Sequence, residues 1–274
     1  MKRKFRRILS LKAPQLEFFD ENFDADQPTA PRKRYLIISS EIFFTKKLID
    51  RIVDLENKYG VPINYFTKKN SEEICSRLNL EKIHHFKNSY FLEYLKKVEV
   101  YRTFEDKIFG MHVGPNFLIN LKALNEKNFK EFLELFHSII FIKSRNRVNQ
   151  SILKLKINIF KTYDEINLEI AKEISSNINN MISQESFIET LSQEFKKIIF
   201  TINHEDIEIE EDRSLNRILS FINDKEKIEY KLNKIVVKTA QPFNMKLVRE
   251  IENDYLSYIL GENFSPIISK ELIN

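Results

Sequence analysis

Five histidines, one cysteine and 40 carboxylates are the groups through which this 274-residue chain could do chemistry. Zinc needs ligands at short spacing, H-E-x-x-H on a helix or C-x-x-C at a turn, so that two side chains reach one ion. His84, His85, His112, His137 and His204 contain no such pair, and Cys75 has no second cysteine. The G-x-S-x-G elbow of many hydrolases and the glycine-rich phosphate cradles G-x-G-x-x-G and G-x-x-x-x-G-K-[ST] are also missing from a chain with four glycines. A metal-dependent nuclease would set an acid and an E-x-K triplet on adjacent strand ends. Glu194-Phe195-Lys196 has that form, but it sits in a helical pattern, and among 40 acids and 44 bases such triplets arise by chance. The reading is of a non-enzymatic chain with no cofactor and no metal site.

Composition bounds the rest. With 42% hydrophobic and 31% charged residues the chain is a folded protein, long enough for one or two domains. A net charge of +4 says little about partners. The basic start (Lys2, Arg3, Lys4, Arg6, Arg7) is answered by Glu17, Asp20, Glu21, Asp24 and Asp26. A nucleic-acid protein shows a clearer basic stripe with interleaved aromatics, so this cluster reads as a solvated or partner-binding arm. No run of 18 apolar residues is available to span a membrane, and no apolar h-region follows the basic start. A single cysteine fits a reducing compartment. The expected location is the cytoplasm.

The elements that would carry any site follow from periodicity. Residues 1–33, interrupted by Pro14, Pro28 and Pro31, read as an extended arm in which Phe18, Phe19 and Phe23 must dock on this chain or another. Arg34–Ile38 reads as a buried strand, followed by a helix with Phe44, Leu48, Ile52 and Leu55 on one face and Gly60 as its stop. Asn70 with Glu73 resembles a capping box opening a helix to Leu78. Val98–Phe104 alternates as a strand, with Asp106 and Lys107 as a turn into Ile108-Phe109, the second arm of a hairpin. Beyond residue 150, Leu153–Ile159, Ile207–Glu210 and Tyr230–Lys238 read as strands. Asn167–Ile182 and Glu185–Ile199 read as helices, and the last helix carries Val248, Ile251, Tyr255 and Ile259 on one side, between an Asn244 cap and a Gly261 stop.

The stretch from Asp106 to Arg147 organises the whole. Phe109-Gly110-Met111-His112-Val113-Gly114-Pro115 reads as a strand entering a turn shaped by Gly110, Gly114 and Pro115. An amphipathic helix follows, capped by Asn128 with Glu131 at its third position, whose stripe of Phe129, Phe132, Leu133, Phe136 and Ile140 is widened by Leu135 and Ile139. So broad a face must be covered on two sides, by this chain's sheet or by a partner. His137, on the polar margin, reads as a hydrogen-bonded structural histidine.

FGMHVGP followed by Phe132-Leu133-Glu134-Leu135-Phe136-His137 resembles the TssG family of type VI secretion baseplate proteins. That family carries an F-x-G-L-x-G-P turn and then a helix of the form F-L-D-L-F-H. Met111 stands where leucine is usual and Glu134 where aspartate is, and Asn116–Ile119 replace the family's glycine and Leu-Pro. The resemblance implies a non-catalytic wedge subunit of a contractile, phage-like injection baseplate. It would bind a pair of TssF-type subunits, TssK-type trimers and a TssE-type subunit, and meet the spike and hub indirectly, with no nucleic acid and no direct membrane insertion. On this reading Phe109, Gly110, Met111, Gly114, Pro115, Phe129, Phe132, Leu133, Phe136 and the arm residues Phe18, Phe19 and Phe23 are structural or partner-binding, and Phe132→Asp or Phe136→Asp abolishes assembly. The competing class is a cytoplasmic nucleic-acid-binding protein or metal-dependent nuclease.

The expected fold class is α+β, with mixed strands and helices, an elongated shape completed by partners, and three parts. These are the arm (1–33), an α/β region (34–150) and a strand-rich C-terminal region ending in a helix (151–274).

Overall fold

Lys33–Ser39 forms β1, and every side chain from Tyr35 to Ser39 is buried. A strand that is apolar on both faces belongs in the middle of a parallel sheet covered by helices on each side. The structure, a computed structural model, describes residues 23–39, 43–55, 58–80, 90–104, 106–155, 168–195, 199–223 and 245–261. The chain mixes helices and strands, as expected. Among the described residues β1, β2 (Ile108–Val113), β3 (Ser138–Lys143) and β4 (Ile199–Asn203) make one sheet, parallel throughout, in the order β2-β1-β3-β4.

Helices connect the strands. Between β1 and β2 lie α1 (Phe43–Val53), α2 (Lys68–Arg77) and α3 (Tyr90–Tyr101), and between β2 and β3 lie α4 (Pro115–Leu124) and α5 (Glu126–Glu134). α6 (Arg147–Lys154) and α7 (Leu168–Glu194) precede β4, while α8 (His204–Ile209), α9 (Glu211–Asn223) and α10 (Met245–Gly261) follow it. Alternation along the strands sends Leu36, Ile38, Phe109, Met111, Ile139 and Phe141 into one core, covered by α2 to α5 and the end of α7. Tyr35, Ile37, Ile140, Ile142 and Ile202 face the other, covered by α1, α8 and α9. A third cluster, built by α6, the first half of α7 and α10, contains Val248, Ile251, Tyr255 and Ile259, the stripe predicted for the last helix.

Several expectations are corrected. Val98–Phe104 is not a strand: Phe91, Tyr94, Leu95 and Val98 are buried at helical spacing, and α3 runs to Tyr101. The Asp106–Lys107 turn therefore joins a helix to a strand, and β2 pairs with β1 in parallel, not in a hairpin. Gly110 lies within β2 and not in a turn, and Gly114 is the extended N-cap of α4, with Pro115 at the first turn. The single long helix across 128–147 is two elements. α5 starts from Asn125, whose side chain accepts from the Asn128 backbone, and ends at Glu134, so Ile139 and Ile140 belong to β3. The stripe looked too broad because a helix face runs straight into a strand buried on both sides.

In the same way Leu153 falls in α6 and Ile207–Ile209 in α8 rather than in strands, and the two helices predicted over 167–199 are one, α7. Beyond residue 150 the described residues are mostly helical, with β4 the one strand among them. The α2 cap is Thr67, not Asn70, and α1 ends at Val53, before Gly60. Phe18, Phe19, His84, His85, Asn244, residues 156–159 and the predicted strand 230–238 lie outside the described residues.

Phe23 docks on this chain, buried in the core beneath α2 to α5. Next to it the Asp24 carboxylate bonds both Arg77 (2.8 Å) and Arg102 (2.9 Å), and the Ala25 and Thr29 amides bond carbonyls at the end of α3.

Candidate functional site

The chain passes from β1 outward to β2, then returns across β1 to β3 and on to β4. β1 and β3 are thus neighbours whose onward connections leave in opposite directions, the arrangement that opens a crevice at the carboxyl ends of the strands. What the three central strands present there, on the face shared with Tyr35 and Ile37, follows from the period of two: His112 at the end of β2, Ser39 at the end of β1, and Ser144 just past β3.

Ser39 and Thr45, the latter in the first turn of α1, are both buried, and Thr45 Oγ1 donates to Ser39 Oγ at 2.7 Å. His112 is fixed through its backbone, paired with Ile37 in the sheet and donating its N–H to the Ile63 carbonyl at 3.0 Å on the outer edge of β2. Its ring is held by the backbone of Ser39. Burial drives the His112 pKa from 6.5 down to about 4, and the bond to Ser39 offsets only part of that. Nε2 is buried and has no hydrogen-bond partner among the described residues.

The wall on the β3 side is the loop 144–146, and Glu205 holds it from the start of α8. Glu205 Oε1 accepts from the Ser144 hydroxyl (2.9 Å) and from the backbone N–H groups of Arg145 (2.9 Å) and Asn146 (3.0 Å). Burial, the largest single influence, pushes the Glu205 pKa up. The N–H groups of Asn146, Glu205 itself and Arg145, with His204, together outweigh it and leave the pKa below its ordinary value. Asn146 caps α6, accepting from Asn149 N at 2.8 Å, and donates to Glu252 of α10 at 2.7 Å. The cations of this loop are already paired, Arg145 with Asp206 and Arg147 with Glu185. Among the described residues no group of three or more His, Cys, Asp or Glu gathers as a metal would require.

The residues singled out from sequence lie elsewhere. Phe23, Phe109, Met111, Phe129, Phe132, Leu133 and Phe136 share one core on the opposite face of the sheet, where Phe132 meets Phe117 and Phe136 edge-on at ring distances of 5.5 and 5.1 Å. Pro115 is buried as well. His137 takes the structural role expected of it, its Nδ1 accepting from the Arg34 N–H at 3.3 Å. The crevice residues Ser39, Thr45, His112, Ser144 and Glu205 carry no motif. Ser39 was within reach of sequence only by position, directly after the predicted strand Arg34–Ile38 and before a predicted helix.

Sheet order and helical cover define the class: a parallel α/β sheet with helices on both faces and a switch point between β1 and β3. Comparison with protein-family models and with curated proteins finds no match to this chain. No helix among the described residues is long and apolar enough to cross a membrane.

Proposed function

We propose that this chain binds a small polar molecule over the carboxyl ends of β1 and β3. The observation that supports the reading is the reversal of strand order between those strands, with Ser39, His112 and Ser144 gathered at that edge. Doubly wound sheets take their ligands at this point. No glycine stands between Ser39 and Thr45 and the nearby arginines are paired, so the ligand is held by neutral hydrogen bonds and not in a phosphate cradle. The lone, buried thiol of Cys75 supports a cytoplasmic location. Hydrogen exchange on the full chain tests the reading, with nucleosides, sugars, nucleotides and inorganic sulfate as separate additions. Protection at Ser39 and at residues 144–146 by at least one of them is expected; no protection by any overturns it.

A second reading is the baseplate wedge role, linking TssF-type and TssK-type subunits, which the FGMHVGP and FLELFH resemblance favours. That resemblance is now its only support, since the phenylalanine stripe, which the sequence left to this chain's sheet or to a partner, is buried in this chain's own core. Purification of the tagged chain from its own cells separates the two. Larger injection-system subunits at fixed stoichiometry support the wedge, and a monomer without them removes it.

A further inference from the structure

We propose that α6, the first half of α7 and α10 open from the sheet as one cooperative unit, with Gln184 and Glu185 at its boundary and Glu205 as its latch. Such a unit needs no ligand at the switch point.

α7 joins two cores. Its buried stripe steps through Ala171, Ile174, Ile178 and Met181, all packed with α6 and α10, and resumes at Ile188 and Leu191, which belong to the core between the sheet and α2 to α5. At spacings of three and four the stripe is due at 184 or 185, and both positions are polar. Gln184 donates to the Asn116 side chain at the start of α4 (2.9 Å), and Glu185 accepts from Arg147 at the start of α6 (2.8 Å). A polar step thus divides one helix face between two cores.

The unit closes on itself. Val148 and Ile152 of α6 and Val248, Ile251 and Tyr255 of α10 complete its apolar core, and among the described residues none of them joins the two cores on the sheet. The Ser151 hydroxyl donates to the Ile174 carbonyl, and the Ser175 and Tyr255 hydroxyls bond each other, both at 2.9 Å.

Polar groups tie the unit to the rest. Glu205, in the first turn of α8, collects the Ser144 hydroxyl and the Arg145 and Asn146 amides on one oxygen, and Asp206 beside it pairs with Arg145. Asn146 carries the hold onward to Glu252 of α10. Links of this kind are exchanged for water on opening, so they hold two cores together less firmly than shared apolar side chains would. Opening of the unit therefore precedes unfolding of the sheet. Residues 144–146 are released with it, so the order of the loop past β3 depends on a core built by distant helices.

The test is native-state hydrogen exchange of the full chain across low guanidinium concentrations, in which amides of one cooperative unit merge on one isotherm. The hydrogen-bonded amides of α6, of α7 up to residue 183 and of α10 are expected on one isotherm, with an opening constant at least about 10-fold above that of β1 and β3. Phe132→Leu, in the core on the sheet, is expected to shift β1 and β3 and to leave the unit's isotherm in place, because that packing survives the opening. Glu205→Ala is expected to raise the unit's opening constant about 10-fold or more. Glu205→Gln, which keeps an acceptor oxygen, should raise it less. If α6 and α10 follow separate isotherms, if α7 exchanges uniformly along its length, or if the unit responds to Phe132→Leu as β1 does, the proposal is overturned. A unit isotherm unmoved by Glu205→Ala overturns the latch. The wild-type and Phe132→Leu curves decide the rest even where Glu205→Ala does not fold.

Discussion

The ring of Tyr35 fills the space that a side chain at residue 110 would need. The two residues are register partners in β1 and β2, and a Cβ built on Gly110 would lie 2.3 Å from Tyr35 Cζ. The ring cannot step aside, because Tyr35 is fully buried and its hydroxyl donates to the Tyr59 carbonyl at 2.9 Å. Gly110 is thus required by a side chain packed against its strand, and not by a turn. Gly110→Ala is expected to destabilise the fold by about 2–3 kcal/mol through overpacking. Chemical denaturation measures it, and the double variant with Tyr35→Leu should recover part of the loss.

Asp24 ties the start of the described chain to two helices. Arg102 is 1% exposed, and the carboxylate 2.9 Å away is its charged partner. Asp24→Asn keeps the shape and removes the charge, so the cost is that of a nearly buried cation losing its counter-ion, about 2–3 kcal/mol given the partial exposure of Asp24. Stability should fall by that amount in denaturant titration, and limited proteolysis should cut sooner near Phe23. If neither changes, residues 23–29 do not hold α2 and α3 together.

How far the sequence was legible depends on whether a polar face interrupts the apolar one. β1 was readable as a short apolar run bounded by Arg32-Lys33-Arg34 and Ser39-Ser40, and α1 and α10 by one-sided stripes such as Val248, Ile251, Tyr255 and Ile259. β3 was not, because a parallel strand buried on both faces has no alternation to detect, and Ile139 and Ile140 fall in phase with the stripe of α5. α3 was misread from too short a window: Val98 to Thr103 alternates by chance, and the helical period shows only when Phe91, Tyr94 and Leu95 are included. Nothing in the sequence marked the polar residues at the switch point as a site. Ser144 and Glu205 stand 61 residues apart in sequence and meet only once β3 and β4 are paired.

Phe132 separates a packing role from a partner-binding one. It is fully buried among Phe66, Phe91, Phe117 and Phe136. Phe132→Ala should cost about 3–5 kcal/mol, cavity included, and Phe132→Leu much less. Phe132→Asp should unfold the domain rather than spare it and block assembly. A soluble, fully stable Phe132→Asp variant that failed only to join other subunits would put the residue on an interface instead.

His112 gives the fold a pH dependence of definite sign. The ring titrates near 6.5 when unfolded and at about 4 when folded, because burial penalises its charged form. Between those values the unfolded chain binds a proton that the folded chain refuses, so stability is fully present above pH 6.5 and is lost as pH falls toward 4. The whole span corresponds to about 3 kcal/mol. Carboxylates with lowered pKa values, Glu205 among them, lose stability in the same direction as they protonate, so the absolute slope does not isolate the histidine. The difference between wild type and His112→Gln does. Denaturant titrations at pH 7, 6, 5 and 4.5 should show the variant losing less stability than wild type at each step down from 6.5. Parallel curves would mean that the imidazole is free to take its proton in the folded state, and that Nε2 faces water.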